Sequence, residues 1–217
     1  MLILGIDTSE KNINLCLIEN NIILAELEKS SLKNEEIINI LDDMFKNIGK
    51  THYDLNGVGV ITGPGGYTST RAGVAVAKTL SQFLNIPIVG FTKIEAILLA
   101  YKTDKFICPM IDIKREEAYL CVAKVENNNI EYLSSSQVIK LVDLKDYLNS
   151  LNNEIILLNH GFTNNEVYFN NLSEKVILDS NFYLKPSHVA FITDEFIKSG
   201  FGKQFHEVSP FYIREAV

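Results

Sequence analysis

Apolar residues fall along the chain in short β-branched runs broken by small polar turns, with stretches of helical spacing between them. Residues 2–6, 13–18 and 22–27 read as three strands with short polar connections, Glu19-Asn20-Asn21 among them, which makes an antiparallel meander. From Asn34, a suitable cap, to about Asn47, the residues Ile37, Ile38, Leu41, Met44, Phe45 and Ile48 recur at helical spacing, and Gly49 ends the helix. A strand over 57–61 leads to Gly63-Pro64-Gly65-Gly66, where the glycines free the backbone for a sharp turn or for close approach of another surface. A hydroxyl from Thr68, Ser69 or Thr70 is placed to cap the next helix, which is built of small residues from Arg71 to about Leu84. Residues 86–90 form a further strand, and Thr92 with Glu95 has capping-box spacing for a helix over 93–101.

The second half repeats that order. Residues 106–113, 117–125 and 130–139 predict a second meander, with Asn127-Asn128-Asn129 as a hairpin turn. A helix over 142–151, strands over 154–158 and 176–178, and a helix over 188–198 capped by Ser187 follow. The tail SPFYIREAV is aromatic and apolar and is expected to lie over a surface. The expected class is α/β, each half a mixed sheet that opens as an antiparallel meander and grows by crossover helices. The polar stretch 102–105 marks the expected boundary, giving lobes of residues 1–104 and 105–217.

Composition adds limits. The chain has 217 residues, 47% of them hydrophobic, which is enough for two small lobes with real cores. No apolar run reaches the roughly 18 residues of a membrane span, and the opening MLILGIDTSEKN has neither a basic leader nor a small-residue cleavage site. The net charge of −7, with Lys and Arg scattered, argues against nucleic-acid binding by the chain alone. Three cysteines, Cys16, Cys108 and Cys121, sit in apolar runs without a CxxC motif, so a reduced, cytoplasmic protein without disulfides or membrane contact is expected.

Two places could carry chemistry. Asp7-Thr8-Ser9 ends the first strand, where a carboxylate and two hydroxyls suit a metal or phosphate, or simply a turn. Gly65 and Gly66 precede a helix N-terminus, which resembles an anion cradle, whereas the small residues after them suggest an assembly surface. The stretch is not a phosphate loop, since neither GxxxxGK[ST] nor GxGxxG is present. His52, His160, His188 and His206 stand too far apart to share a helix face, so no metal site is expected, and there is no GxSxG elbow. Lys114-Arg115-Glu116-Glu117 reads as a solvated strand start.

GIDTS followed by INLCLIEN resembles the opening of the actin, Hsp70 and sugar-kinase superfamily. More narrowly, GPGGYTSTRAGVAVAKTLSQFLNIPIVGFTKIEA is similar to the signature of the TsaB (YeaZ) family, with Gly63, Pro64, Gly65, Gly66, Tyr67, Thr68, Arg71, Gly73, Ile86, Pro87 and Val89 at its positions. Asp112, Arg115, Glu117 and Tyr119 in IDIKREEAY, and Pro210, Tyr212 and Arg214 in the tail, are also family-like, with Lys114 standing for an arginine. The resemblance implies a two-lobed actin-like fold and an accessory role in making threonylcarbamoyl-adenosine next to the anticodon of tRNAs that read codons starting with A. It further implies a TsaD-type catalytic subunit as partner, a TsaE-type ATPase joining the assembly, and tRNA met only through the complex. It also implies that the chain is a degenerate, non-catalytic member needing no cofactor of its own.

The residues agree with degeneracy. The HxxxH metal pair of the catalytic relative has no counterpart in the helix from 34 to 47, where Lys33 and Asn34 stand near the start. The position two residues after Asp7, a glycine in active superfamily ATPases, is Ser9, and Asn159-His160-Gly161 offers one glycine where the second phosphate turn has two. The partner surface implied by the family falls on the helices 34–47 and 70–84, with Ile37, Leu41, Arg71, Val74, Ala77 and Lys78 as contact residues, and would serve a homodimer when the partner is absent. Asp7, Thr8, Ser9, Gly65 and Gly66 are what remains for a nucleotide, ATP or ADP, at the interface. The competing readings are an active phosphotransferase of the sugar-kinase kind, with Asp7 and Thr8 on Mg-ATP, and a metallopeptidase, which the scattered histidines disfavour.

Overall fold

A computed structural model describes residues 1–30, 36–160, 162, 166–169 and 172–214. The chain divides into one unit made of Met1–Ala96 with Leu184–Val217, and a second made of Ile97–Tyr183. Each is built on a mixed five-stranded sheet, the α/β architecture expected.

In the first unit β1 (Leu2–Asp7), β2 (Asn12–Glu19) and β3 (Ile22–Ser30) form the antiparallel meander, and β4 (Leu55–Gly63) and β5 (Ile88–Thr92) add in parallel, in the order β3-β2-β1-β4-β5. Alternation in β1 and β2 serves two buried faces. Leu2, Leu4, Ile6, Leu15 and Leu17 enter one core with Ile37, Leu41, Met44 and Phe45 of α1 (Ile37–Asn47) and Val74 and Ala77 of α2 (Tyr67–Leu84). Ile3, Cys16 and Ile18 enter another with Ala190 of α5 (Pro186–Lys198). A Cβ on Gly5 would run into the Ala190 backbone, so β1 admits α5 only through that gap.

The second unit has the same topology. β6 (Phe106–Asp112), β7 (Glu117–Glu126) and β8 (Asn129–Lys140) form its meander, and β9 (Ile155–His160) and β10 (Val176–Asp179) add in parallel, in the order β10-β9-β6-β7-β8. Cys108, Met110, Leu120, Val122 and Leu157 pack there with Leu144 and Leu148 of α4 (Leu144–Ser150). α3 (Lys93–Ala100) follows β5.

Several expectations need correction. The second lobe does not run to residue 217, because α5 and the tail return to the first sheet. α2 begins at Tyr67 with Gly66 at its cap, and no hydroxyl of Thr68, Ser69 or Thr70 caps it. The Ser69 hydroxyl instead donates to the Gly66 carbonyl at 3.1 Å. The cap expected from Asn34 lies outside the described residues. α5 starts at Pro186, where the missing N–H is no loss, and not after Ser187. The Ser187 N–H donates to Glu26 Oε1 at 2.7 Å, and the Lys185 N–H to His188 Nδ1 at 3.1 Å. The Thr92–Glu95 capping box is formed in both directions, at 2.7 and 3.2 Å.

All three cysteines are buried free thiols. Burial, with Glu26 adding, pushes Cys16 up to about 12, so it is inert at neutral pH. Among the described residues no helix is long and apolar enough to cross a membrane.

Burial, seconded by the Lys185 charge and opposed by Glu26, holds His188 below its usual 6.5. A base depressed in the fold contributes stability above its unfolded pKa and loses it as pH falls through the folded one. Protonation of Nδ1 also removes the acceptor for the Lys185 N–H. Urea unfolding should therefore show lower stability near pH 5.5 than near pH 7.5, and His188→Gln should flatten that dependence.

Candidate functional site

β1 ends in a buried polar cluster. Asp7, Thr8 and Ser9 are 4%, 0% and 1% exposed, so each polar atom needs a partner within the protein. Asp7 Oδ1 accepts from the Ser9 N–H at 2.8 Å and from the Ser9 hydroxyl at 2.6 Å, the Asx turn that an Asp-x-Ser sequence favours. The Thr8 hydroxyl donates to the Ser69 carbonyl at 2.7 Å.

Lys93, the first residue of α3, enters the same cluster. Its side chain is 2% exposed, and its ammonium lies 3.6 Å from Asp7 Oδ2, 2.5 Å from Glu10 Oε1 and 3.3 Å from the Ser9 hydroxyl. Burial alone pulls the Lys93 pKa down, but the charges of Asp7 and Glu10 and their hydrogen bonds outweigh it and raise the value. The ammonium is therefore charged at neutral pH. Its contribution is fully present below the ordinary 10.5 and is lost only as pH rises through the higher folded value.

The glycine turn is filled by the protein itself. The Gly66 N–H donates to the Ser9 carbonyl at 2.7 Å. A Cβ on Gly65 would fall on that same carbonyl, and one on Gly73 on the Thr8 hydroxyl. The sequence thus demands glycine here so that the loop after β1 can lie against the start of α2. A nucleotide with its magnesium does not fit these residues. The carboxylate that would hold the cation already faces an ammonium, and the Gly66 amide that would hold a phosphate already faces a carbonyl. Among the described residues no three His, Cys, Asp or Glu side chains are arranged to hold a metal ion.

The structure thus brings Asp7, Thr8, Ser9, Gly65 and Gly66 together, as the sequence suggested, but as a closed packing unit. Lys93 was missed. Its signal was present: it heads a helix, KIEAILLA, whose Ile94, Ala96, Ile97, Leu98 and Leu99 are all buried. A lysine beginning such a helix must find a counter-charge.

The expected contact residues separate into two groups. Ile37, Leu41, Val74 and Ala77 are 0%, 4%, 2% and 0% exposed within the first unit's core, so they are not available as contact side chains. Lys78 is partly buried and donates to the Val208 carbonyl at 2.8 Å. Arg71 is exposed, with its guanidinium 4.7 Å from the Tyr67 ring centre. The outward stripe of α2 is instead Thr68, Arg71, Ala75, Thr79 and Phe83, and that of α1 includes Ile38. In the second unit, Asn159 Nδ2 donates to the Phe162 carbonyl at 3.4 Å, while Gly161 lies outside the described residues. Asp112 binds Lys114 through both its backbone N–H and its ammonium, at 2.7 Å each, so that the charged run is a turn.

Comparison with known proteins adds a family. The family model described as TsaD, tRNA N6-adenosine threonylcarbamoyltransferase, matches residues 28–202. The chain is 28% identical over 163 residues to the tRNA threonylcarbamoyladenosine biosynthesis protein TsaB of Bacillus subtilis (strain 168), covering 74% of this chain and 71% of that protein. It is also 28% identical over 118 residues to the tRNA N6-adenosine threonylcarbamoyltransferase of the same strain, covering 46% and 34%. The structure of YeaZ from Pseudomonas aeruginosa superposes with a TM-score of 0.75 at 16% identity over 98% of this chain and 99% of that one, which shows a shared fold.

Replacing Lys93 by Met leaves Asp7 buried without its counter-charge, which should cost about 3 kcal/mol of stability in urea unfolding. Lys93→Met combined with Asp7→Asn should recover much of that loss. A double-variant loss equal to the sum of the two single-variant losses would mean that the pair is not coupled.

Proposed function

The chain belongs to the tRNA N6-adenosine threonylcarbamoyltransferase (TsaD) family, on its TsaB (YeaZ) side, and we propose that it is the accessory subunit required for threonylcarbamoyl transfer to the adenosine 3′ of the anticodon in tRNAs reading codons that start with A. It acts by pairing with a TsaD-type catalytic subunit and activating it, and carries no chemistry itself. The observation that supports this reading most is the closed cluster at β1, where Lys93 neutralises Asp7 and Ser9 occupies the Gly66 amide. The polar groups that an actin-like ATPase turns toward nucleotide are here satisfied within the chain. A TsaE-type ATPase joins the pair, any ATP or ADP sits at the interface rather than in this chain alone, and tRNA is met only through the complex, as the net charge of −7 favours.

The partner meets the outward stripe of α2. Ala75 and Thr79 are small and exposed, so a helix of the partner can approach the α2 backbone closely, and Phe83 and Ile38, 67% and 59% exposed, are the apolar anchors at its margin. The same face supports a homodimer when the catalytic subunit is absent.

Reconstituted tRNA modification tests the reading. With a TsaD-type subunit, a TsaE-type ATPase and substrate tRNA, product should fall to background when this chain is omitted, and an unchanged yield would sink the proposal. Turnover of Mg-ATP by the chain alone would overturn its non-catalytic part. Ala75→Glu should weaken co-purification with the catalytic subunit by about a hundredfold, the cost of a charge in an apolar contact, while leaving circular dichroism intact. Val74→Glu, by contrast, should unfold the first unit, since that side chain is in its core.

A further inference from the structure

The glycine turn is held on a second side by the end of the chain. Lys203 pairs with Ile88 as an antiparallel bridge, through N–H to O bonds of 2.9 and 3.1 Å, so the segment leaving α5 runs along β5. Val208 then drops into the first unit's core, 3% exposed, and its carbonyl accepts from the Lys78 ammonium of α2. Three residues further on, the Phe211 N–H donates to the Thr62 carbonyl at 2.7 Å. The Phe211 carbonyl occupies the place a Cβ on Gly63 would take, and Gly63 has a φ of +124°, a backbone that an L side chain rarely adopts. Tyr212 next stacks on Tyr67, the first residue of α2, with ring centres 4.9 Å apart and planes at 30°. The Arg71 guanidinium, one turn along α2, approaches the same Tyr67 ring.

The residues between β4 and α2 are thus gripped from both ends, by Ser9 at Gly65 and Gly66 and by Phe211 at Thr62 and Gly63. Two of the contacts involve α2 itself, at Tyr67 and Lys78, and the Ser9 carbonyl holds its cap, Gly66. These Phe211 and Tyr212 contacts fall at Thr62, Gly63 and Tyr67, ahead of Ala75 and Thr79 on α2.

We propose that residues 208–212 are a clasp that fixes the first turn of α2, so that closure of the clasp and binding of the catalytic subunit to α2 favour one another. The inference rests on the function proposed above for what α2 meets, and on the contacts alone for the clasp. Linkage makes the effect reciprocal: the factor by which opening the clasp weakens the partner's binding equals the factor by which the bound partner holds the clasp shut.

The test uses the full chain with Phe211→Pro, which lacks the N–H donor to Thr62, and separately with Tyr212→Ala, which removes an exposed ring and keeps the fold. Amide exchange of Thr70 and Arg71 in the isolated protein should rise about tenfold in either variant, with exchange in the second unit unchanged. Affinity for the TsaD-type subunit should fall about tenfold, within the ordinary range of coupling between sites, and the partner should slow proteolysis of the wild-type tail by a similar factor. Unchanged exchange and unchanged affinity in Tyr212→Ala, whose ring stacks on α2, would overturn the proposal. A wild-type chain that binds no such subunit would refute the function proposed above, and exchange alone would then decide the clasp.

Discussion

One backbone hydrogen bond organises the first unit, from the Gly66 N–H to the Ser9 carbonyl at 2.7 Å. No side chain takes part in it, and none could stand between its partners, because Gly65 passes against the same carbonyl. The bond joins the loop after β1 to the start of α2, which are far apart in sequence. It also decides between an anion cradle and a packing turn. A free phosphate would compete with an acceptor already tethered beside the amide, whose effective concentration is high without any loss of translational freedom. The turn serves the fold before it can serve a ligand.

Lys93 completes that decision by charge. Moving a carboxylate out of water is costly unless an opposite charge and hydrogen bonds replace its hydration. Asp7 has both, from the Lys93 ammonium and from the Ser9 N–H and hydroxyl. A divalent cation at Asp7 would have to displace the ammonium into an apolar setting at the head of α3. Glu10, whose side chain is 48% exposed, lets water reach one side of the network, so the pair is not a fully desolvated one. The cluster is thus arranged to be satisfied as it stands.

Much of this was legible in the sequence because it is local. Strand alternation, the asparagine turns at Asn20-Asn21 and Asn127-Asn128 with their positive φ, and the Thr92–Glu95 box depend on residues a few positions apart. What was not legible depends on return of the chain from a distance. α5 packs on β1, more than 180 residues earlier, and nothing in its own pattern names the sheet it covers. The partner residues of Lys93 lie at 7, 9 and 10. The outward face of α2 was not legible for a different reason. With Ala72, Gly73, Val74, Ala75, Val76 and Ala77 in succession, the helix is small and apolar all round, so periodicity does not say which side faces the sheet. Only packing shows that Val74 and Ala77 point in and Ala75 points out.

That ambiguity has a physical use. A helix bearing small residues on both sides can lie close to its own sheet and still offer a low, smooth outer face. Burying alanine there costs no side-chain entropy, whereas the long charged residues usual on an exposed helix would each have to be immobilised. Phe83 and Tyr53, with ring centres 6.3 Å apart and both largely exposed, add rigid area at the end of the same helix. With the polar groups at its start already engaged by Ser9 and Thr8, what α2 offers outward is shape and apolar surface. Such a helix is suited to bind another protein and poorly suited to bind an ion.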